Sequence, residues 1–230
     1  MEIQKISIVI PVLNEANAIG DVLAQVGKAC AVEVIVVDGG SHDETVTLAQ
    51  SMGVKVICAT AGRANQMNAG AAVATGEILL FLHADTRLPS EFATLVRQAL
   101  QDPKTVAGAF ELQIDAQMWG LRTIEMMVNL RSRLLSLPYG DQGIFLKSSI
   151  FRKLGGFPNL PIMEDFEFMR RLRTLGKVAI VPASVLTSGR RWQKLGVVKT
   201  TALNQIAIVA YLLGVSPHRI VRWYRRGRFF

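Results

Sequence analysis

Apolar residues in the first hundred positions follow two alternating rhythms. Short β-branched runs at Ile6–Val12, Val32–Val37 and Val54–Cys58 end in turn chemistry and are too short for helices, so they read as strands. Glu77–Leu82 is nearly all apolar, as a strand covered on both faces should be. Between these runs the spacing becomes helical. Residues 17–29 repeat apolar groups at Ile19, Val22, Leu23 and Val26. Ser41 is placed to cap a helix opening on Asp43-Glu44, Arg63–Ala74 is alanine-rich, and Pro89 stands near the first position of an amphipathic stretch to Leu100. Strands alternating with helices through short joints predict right-handed βαβ crossovers and a mostly parallel sheet in an α/β fold.

After Gln101 the pattern changes. Val106–Ile114 reads as a strand and Met118–Leu137 as a helix. Gly140-Asp141-Gln142-Gly143 is a tight polar loop before a strand at Ile144–Lys147. A short helix at Ile150–Leu154 stops at Gly155-Gly156, a helix at Met163–Leu175 begins in acid, and Val178–Val181 is a last strand. No repeat, low-complexity tract or linker breaks the series, so residues 1–195 are expected to form one domain, with residues 196–230 as a helical tail. Thr200–Val215 is apolar, but its uninterrupted run from Ile206 is ten residues. A spanning helix needs about 20, so a buried or interfacial helix is expected.

Composition and charge narrow the class. The chain has 230 residues, 50% hydrophobic and 19% charged, which excludes a disordered chain, a collagen and a disulfide mini-protein. The net charge of +8 is unevenly placed: residues 1–167 carry 13 basic and 18 acidic groups, and residues 168–230 carry 13 basic and no acidic ones. A polyanionic partner is therefore to be sought at the C-terminal quarter. Cys30 and Cys58 fit no zinc spacing, which suits a reducing, cytoplasmic compartment. The acid at position 2 and the missing cleavage site argue against a signal peptide.

Ligands of parallel sheets bind beyond the carboxyl ends of the strands. Neither GxGxxG nor GxxxxGK[ST] occurs there, which argues against a dinucleotide oxidoreductase and a P-loop NTPase. Acids stand at the strand ends instead. Asp38 suits a base or ribose, or else braces the Gly39-Gly40 turn; Glu15 is a second rim acid or a solvated first-turn residue. In His83-Ala84-Asp85, Asp85 suits a divalent ion on a diphosphate or a plain turn, with His83 as a ligand, a supporting group or a wall. Arg63 at a helix start is poorly placed for the helix dipole unless it meets an anion. Glu164-Asp165 reads as first-turn acids or as a general base. Asp141 and Gln142 shape an acceptor pocket or only a turn. Arg190-Arg191-Trp192 is a diphosphate clamp or the start of a nucleic-acid patch. No recognition helix or RNP motif supports nucleic acid.

Taken in order, Ile8-Val9-Ile10-Pro11-Val12-Leu13-Asn14-Glu15, Val36-Val37-Asp38-Gly39-Gly40-Ser41-His42-Asp43-Glu44-Thr45, Arg63-Ala64-Asn65-Gln66-Met67-Asn68-Ala69-Gly70 and Leu82-His83-Ala84-Asp85-Thr86 resemble a family 2 glycosyltransferase of the GT-A fold. The resemblance runs from residue 4 to about 195 and is closest to a compact bacterial branch with a Leu-His-Ala-Asp-Thr variant of Asp-x-Asp. It implies a nucleotide-binding half (1–100) with Pro11, Val12, Glu15, Asp38, Arg63, Ala84 and Asp85 at the donor, and an acceptor half (101–195). It implies Asp165 as the base of an inverting transfer from a nucleoside diphosphate sugar, a UDP-sugar by expectation, to a hydroxyl. It puts Asp141, Gln142, Glu164, Arg190, Arg191 and Trp192 near the acceptor or diphosphate, and Mn²⁺ or Mg²⁺ on Asp85. His83 replaces the first Asp of the motif, and imidazole suits Mn²⁺ better than Mg²⁺.

Two other readings compete. A nucleotidyltransferase shares the architecture but would carry a glycine-rich phosphate loop after the first strand, where Pro11–Glu15 has none. A membrane-bound adaptor on a transferase fold would fit His83. The tail mixes His218, Arg219, Arg222, Arg225, Arg226 and Arg228 with Ile220, Val221, Trp223, Tyr224, Phe229 and Phe230. That mixture suits an anionic membrane surface, hence a peripheral enzyme on the inner face of the membrane, or a tail packed on the domain.

Overall fold

A computed structural model describes residues 3–226, with side chains to residue 225. Met1, Glu2, Arg228, Phe229, Phe230 and the Arg226 side chain lie outside the described residues. The chain folds as an α/β protein around one eight-stranded sheet. Strands β1 (Ile6–Val12), β2 (Val32–Asp38), β3 (Lys55–Cys58) and β4 (Ile78–Phe81) alternate with helices α1 (Ala16–Val26), α2 (Thr45–Ser51) and α3 (Arg63–Val73). Next come β5 (Thr86–Arg87), α4 (Phe92–Ala99), β6 (Thr105–Asp115) and α5 (Leu121–Leu135). A 3₁₀ turn at Gly140–Gln142 leads to β7 (Ile144–Lys147), α6 (Ser148–Leu154), α7 (Glu164–Leu172), β8 (Lys177–Ser188), α8 (Arg190–Leu195), α9 (Val197–Leu212) and α10 (Pro217–Arg226).

The strand order is β3-β2-β1-β4-β7-β6-β8-β5. The first four strands are parallel neighbours, as the βαβ pattern requires. Beyond β4 the sheet is mixed: β7 runs antiparallel to β4 and β6, β6 parallel to β8, and β5 antiparallel to β8. β1 is buried on both faces. Ile6, Ile8 and Ile10 pack with α1 and α4, while Val9 joins the opposite cluster with Met67 of α3 and Phe168 of α7. Each such side chain contributes about 1.5–3 kcal/mol on full burial. Gly70 lets α3 press on this strand, since a Cβ there would stand 2.4 Å from Val9 Cγ1.

Several elements depart from the sequence pattern. The last strand runs twelve residues rather than four, because Pro182-Ala183 forms an irregularity in its pairing with β6 between Phe110 and Glu111 and does not end the strand. Ser41 does not cap α2; its hydroxyl accepts the Asn14 N–H instead. The helix expected from residue 118 starts at Leu121 behind Gly120, whose φ of 84° belongs to the left-handed region. Among the described residues no helix is long and apolar enough to cross a membrane. Helix α9 buries Thr200, Leu203 and Ala207. Helix α10 folds back beside it and seats the fully buried Ile220 in a cluster with Met163, Phe166 and Ala207.

Candidate active site

The carboxyl ends of the parallel strands form a rim that the chain stitches together itself. Asn14, in left-handed backbone with φ 55°, donates its N–H to Ser41 Oγ (2.9 Å) and accepts the His42 N–H (2.8 Å). Thr45 Oγ1 accepts the Glu15 N–H at 2.8 Å. The buried Asp38 carboxylate accepts the N–H groups of Gly40 (2.9 Å) and Ser41 (3.1 Å), so it braces the Gly-Gly turn. Gln66 donates from one amide nitrogen to the Val12 and Val37 carbonyls, 2.8 Å each, and pins α3 to the strand ends. The side chains of Val12 and Ala84 are buried in the core, and Pro11 is half-buried.

Arg190, the first residue of α8, closes the outer part of this rim. One guanidinium nitrogen donates to Asp85 Oδ2 (2.9 Å) and Glu15 Oε2 (2.8 Å). The bonds to Asp85 and then Glu15 hold its pKa above the ordinary value. Arg190 and Asp85 line an open groove of about 200 Å³ with Asp21, Arg87 and Asp115.

The second constellation is an inner cleft lined by Arg63, His83, Gly140 and Asp165 over apolar walls of Met67, Phe81 and Phe157. Met163, with φ 70°, turns the chain into α7 so that its first residues stand at this cleft. Asp165 Oδ2 accepts the Gly140 N–H at 2.7 Å, and Oδ1 accepts the Phe166 N–H at 2.7 Å. A Cβ on Gly140 would stand 3.0 Å from Asp165 Oδ2 and 3.2 Å from His83 Nε2, so glycine keeps these groups within reach of one another. Arg63 meets an anion of the chain itself, Glu164, at 3.6 Å.

Electrostatics set this cleft apart. Burial and the neighbouring Asp165 push Glu164 up, against the pull of Arg63. Burial, followed by Asp165, pushes Asp141 up to about 6. Burial and Arg63 push His83 well below 6.5, so its imidazole is neutral at pH 7. Among the described residues, the buried His83 Nε2 and Asp141 Oδ1 have no hydrogen-bond partner. Burial opposes the charge of Arg63, yet Glu164 and Asp165 raise its pKa on balance.

The structure parts residues that adjoin in sequence. Asp85 faces Arg190 in the outer groove, whereas His83 faces Gly140 and Asp165. Arg191 lies over the Tyr224 ring at 3.9 Å, and Trp192 is buried in the core. Gln142 is fully buried: its oxygen accepts from Tyr139 N–H and Ser132 Oγ, and its nitrogen donates to the Phe110 carbonyl. Sequence reasoning missed Arg131 and Tyr139. The Arg131 guanidinium lies 3.6 Å over the Tyr139 ring, and both feel Asp141 and Asp165. The one sequence signal was Tyr139 directly before the Gly-Asp-Gln-Gly loop.

Among the described residues no group of three or more His, Cys, Asp or Glu side chains could hold a metal ion. The donor set nonetheless suits an ion that arrives with a diphosphate. Asp85 offers one carboxylate now facing a cation, Arg190, and an Mg²⁺-type ion needs only one or two carboxylates when phosphates and water supply the rest.

Residues 7–154 match the description Glycosyl transferase family 2. The chain belongs to this family. Among curated relatives of this family 2 chain, an undecaprenyl-phosphate 4-deoxy-4-formamido-L-arabinose transferase of Sodalis glossinidius is 29% identical over 163 residues, covering 64% of the chain and 49% of the relative. The chain thus spans about half the length of the curated relatives it matches. Three solved structures share the fold. A mannosyltransferase from Pyrobaculum calidifontis in complex with GDP-Man and Mn²⁺ aligns with TM-score 0.63 and 21% identity, over 81% of this chain and 57% of that one. S. aureus TarS 1-349 aligns with TM-score 0.68 and 16% identity, over 97% and 71%. Glucosyl-3-phosphoglycerate synthase from Mycobacterium tuberculosis, with Mn²⁺, UDP and glucosyl-3-phosphoglycerate, aligns with TM-score 0.65 and 20% identity, over 92% and 81%. The GT-A-type α/β architecture is therefore shared.

Proposed function

We propose that this protein is an inverting glycosyltransferase of the compact branch marked by Leu82-His83-Ala84-Asp85-Thr86, moving a sugar from a UDP-sugar to a hydroxyl on a membrane-proximal acceptor. The carrying observation is Asp165 at the start of α7, sharing one cleft with Arg63 and His83 just beyond the strand ends. Residues 1–100 serve the donor, 101–195 the acceptor, and 196–230 the approach to the inner face of the cell membrane, with the enzyme cytoplasmic.

Each side chain has a task. Asp38 and the braced 38–45 loop receive the base and ribose, with Pro11, Val12 and Ala84 contributing backbone around them. Asp85 holds Mn²⁺ or Mg²⁺ with the donor; such an ion, when bound, offsets charge on the departing diphosphate. Arg190 leaves Asp85 and Glu15 for the diphosphate oxygens, bidentate binding being what a guanidinium does well. Asp165 takes the proton from the acceptor hydroxyl as that oxygen attacks the anomeric carbon opposite the diphosphate. The Gly140 N–H on Asp165 Oδ2 fixes the carboxylate and leaves further lone pairs for the proton. Glu164 keeps the Arg63 charge beside the cleft, and neutral His83 walls it.

Asp165→Asn tests this assignment. Turnover should fall by about 10²–10⁴-fold, while calorimetric binding of a UDP-sugar with Mn²⁺ stays unchanged. A variant that keeps its turnover with the donor bound removes Asp165 as the base.

A further inference from the structure

Large exposed apolar side chains gather on two helices. On α5, Met126, Leu130 and Leu134 follow one another at four-residue spacing with exposures of 64, 54 and 72%, and Met127 lies beside them. Trp119, just before the helix, is 94% exposed. On α9, Val209, Leu212 and Leu213 are exposed as well. The opposite face of α5 buries Leu121, Glu125 and Ser132, and that of α9 buries Thr200, Leu203 and Ala207, so each helix turns its second apolar stripe outward.

The two helices approach one another at their N-terminal ends, and a residue beyond α5 reaches the cluster that α9 helps to form. A Cβ on Gly120, the cap of α5, would stand 3.7 Å from Val197, the first residue of α9. Leu137, two residues past the end of α5, packs against the cluster that holds Ala207 of α9. Large apolar side chains exposed in this number on two helices mark an interaction surface. Its charge selects the partner. Glu125 is the one acid of α5 and it is buried, and no acid follows Glu167, so α9 and α10 have none. Lys199, Arg219, Arg222 and Arg225 are exposed. A second copy of the chain would set cations against cations, whereas a bilayer with anionic headgroups meets both the exposed apolar side chains and the exposed cations.

We infer that the outer faces of α5 and α9 seat the protein on an anionic bilayer surface, with Arg219, Arg222 and Arg225 of α10 at the headgroups. The surface thus includes a helix of the 101–195 region as well as the basic tail. Tyr139 follows α5 by four residues and directly precedes Gly140, which lines the Asp165 cleft, so seating brings that cleft toward the lipid. The meaning of this placement rests on the proposed transfer to a membrane-proximal acceptor; the docking itself is measured without turnover.

The test is co-sedimentation of the full chain with phosphatidylcholine vesicles, with and without phosphatidylglycerol. The wild type should bind the anionic vesicles. The pair L130E and L134E should lower binding by about tenfold or more, and R219E with R222E by less, in a salt-sensitive way. Both leucines are exposed, and a milder pair, Met126→Ser with Leu134→Ser, should act in the same direction. UDP-sugar binding by L130E/L134E should equal that of the wild type, which shows that the fold is kept. Absence of wild-type binding overturns the proposal, as does an α5 variant that binds like wild type. Sedimentation equilibrium showing a dimer that L130E/L134E dissociates, without vesicle binding, assigns the face to a second copy and also overturns it. Vesicle binding in a protein that binds no nucleotide sugar leaves the docking standing and removes the transfer reading.

Discussion

The strand-end rim and the Asp165 cleft are both built on carboxylates, and they are built oppositely. At the rim, Asp38 and Asp85 are satisfied by the chain: backbone N–H groups hold the one and Arg190 the other. In the cleft, Asp141, Glu164 and Asp165 crowd one another away from water, which pushes the first two up, and polar atoms of His83 and Asp141 are left without partners. A satisfied carboxylate holds a loop in shape; a crowded one is poised to accept a proton or a ligand. One sheet edge thus combines a braced rim with a crowded, incompletely paired cleft.

The comparison breaks most visibly at Asp38. The buried Asp38 carboxylate serves two backbone N–H groups of a partly exposed turn, and hydrogen bonds to a charged group are worth about 1.5–3 kcal/mol. Asp38→Ala should therefore lower stability by about 2 kcal/mol, a fall of several degrees in Tm for a chain of this size. Asp38→Asn, which keeps one acceptor oxygen, should recover part of the loss. Thermal melts decide: an unchanged Asp38→Ala melt would mean that the turn holds without the carboxylate, and the rim would cease to be a frame.

The two regions also differ in how far the sequence discloses them. The first four strands and their helices were legible because a buried parallel strand is continuously apolar and each joint carries its own turn residues. The rim acids were legible for the same reason, since a strand end fixes where they point. The cleft depends on tertiary closure. Arg131 sits between the exposed Leu130 and Arg133 and reads as one more surface cation; only folding brings it over Tyr139. Pro182 hid the second half of the last strand, because a bulge that tolerates proline looks like a terminator in one dimension. Arg190, Arg191 and Trp192 looked like one device and serve three places: the rim, the Tyr224 ring and the core. A helical turn fans successive residues about 100° apart, so adjacency says little about shared direction.

Protonation sharpens the comparison on the cleft side. Asp141 has its pKa raised from 3.8 to about 6 by burial and by Asp165. An acid raised in the folded state binds its proton there before it does in the unfolded chain. The fold therefore holds more protons between roughly pH 4 and 6, and stability must fall as pH rises through that window. The full shift would correspond to about 3 kcal/mol, and residual hydration of a half-buried side chain reduces it to about 1–2 kcal/mol. Asp141→Asn should be more stable than wild type by that amount at pH 7 and indistinguishable from it near pH 4. Melts of both proteins across this range measure it, and parallel curves would show that Asp141 is not crowded.

The smallest effect on stability is expected where charge is most exposed. Arg190 is half-exposed, and its bonds to Glu15 and Asp85 lie at the open edge of the groove. Exposed ion pairs contribute about 0–1 kcal/mol, so Arg190→Ala should shift stability by no more than that. Its effects on binding should be larger and opposite in sign. Without the guanidinium, Asp85 and Glu15 stand uncovered, and Mn²⁺ alone should bind a few-fold more tightly, because an added cation no longer displaces one already there. A nucleoside diphosphate should bind a few-fold more weakly, having lost a bidentate partner. Calorimetry with each ligand separately reads both signs. If the two affinities move together, Arg190 is not exchanging carboxylates for diphosphate. If stability falls by several kcal/mol instead, the bridge belongs to the frame, and the outer groove is held shut by the same contact that here marks it as the entry for the donor.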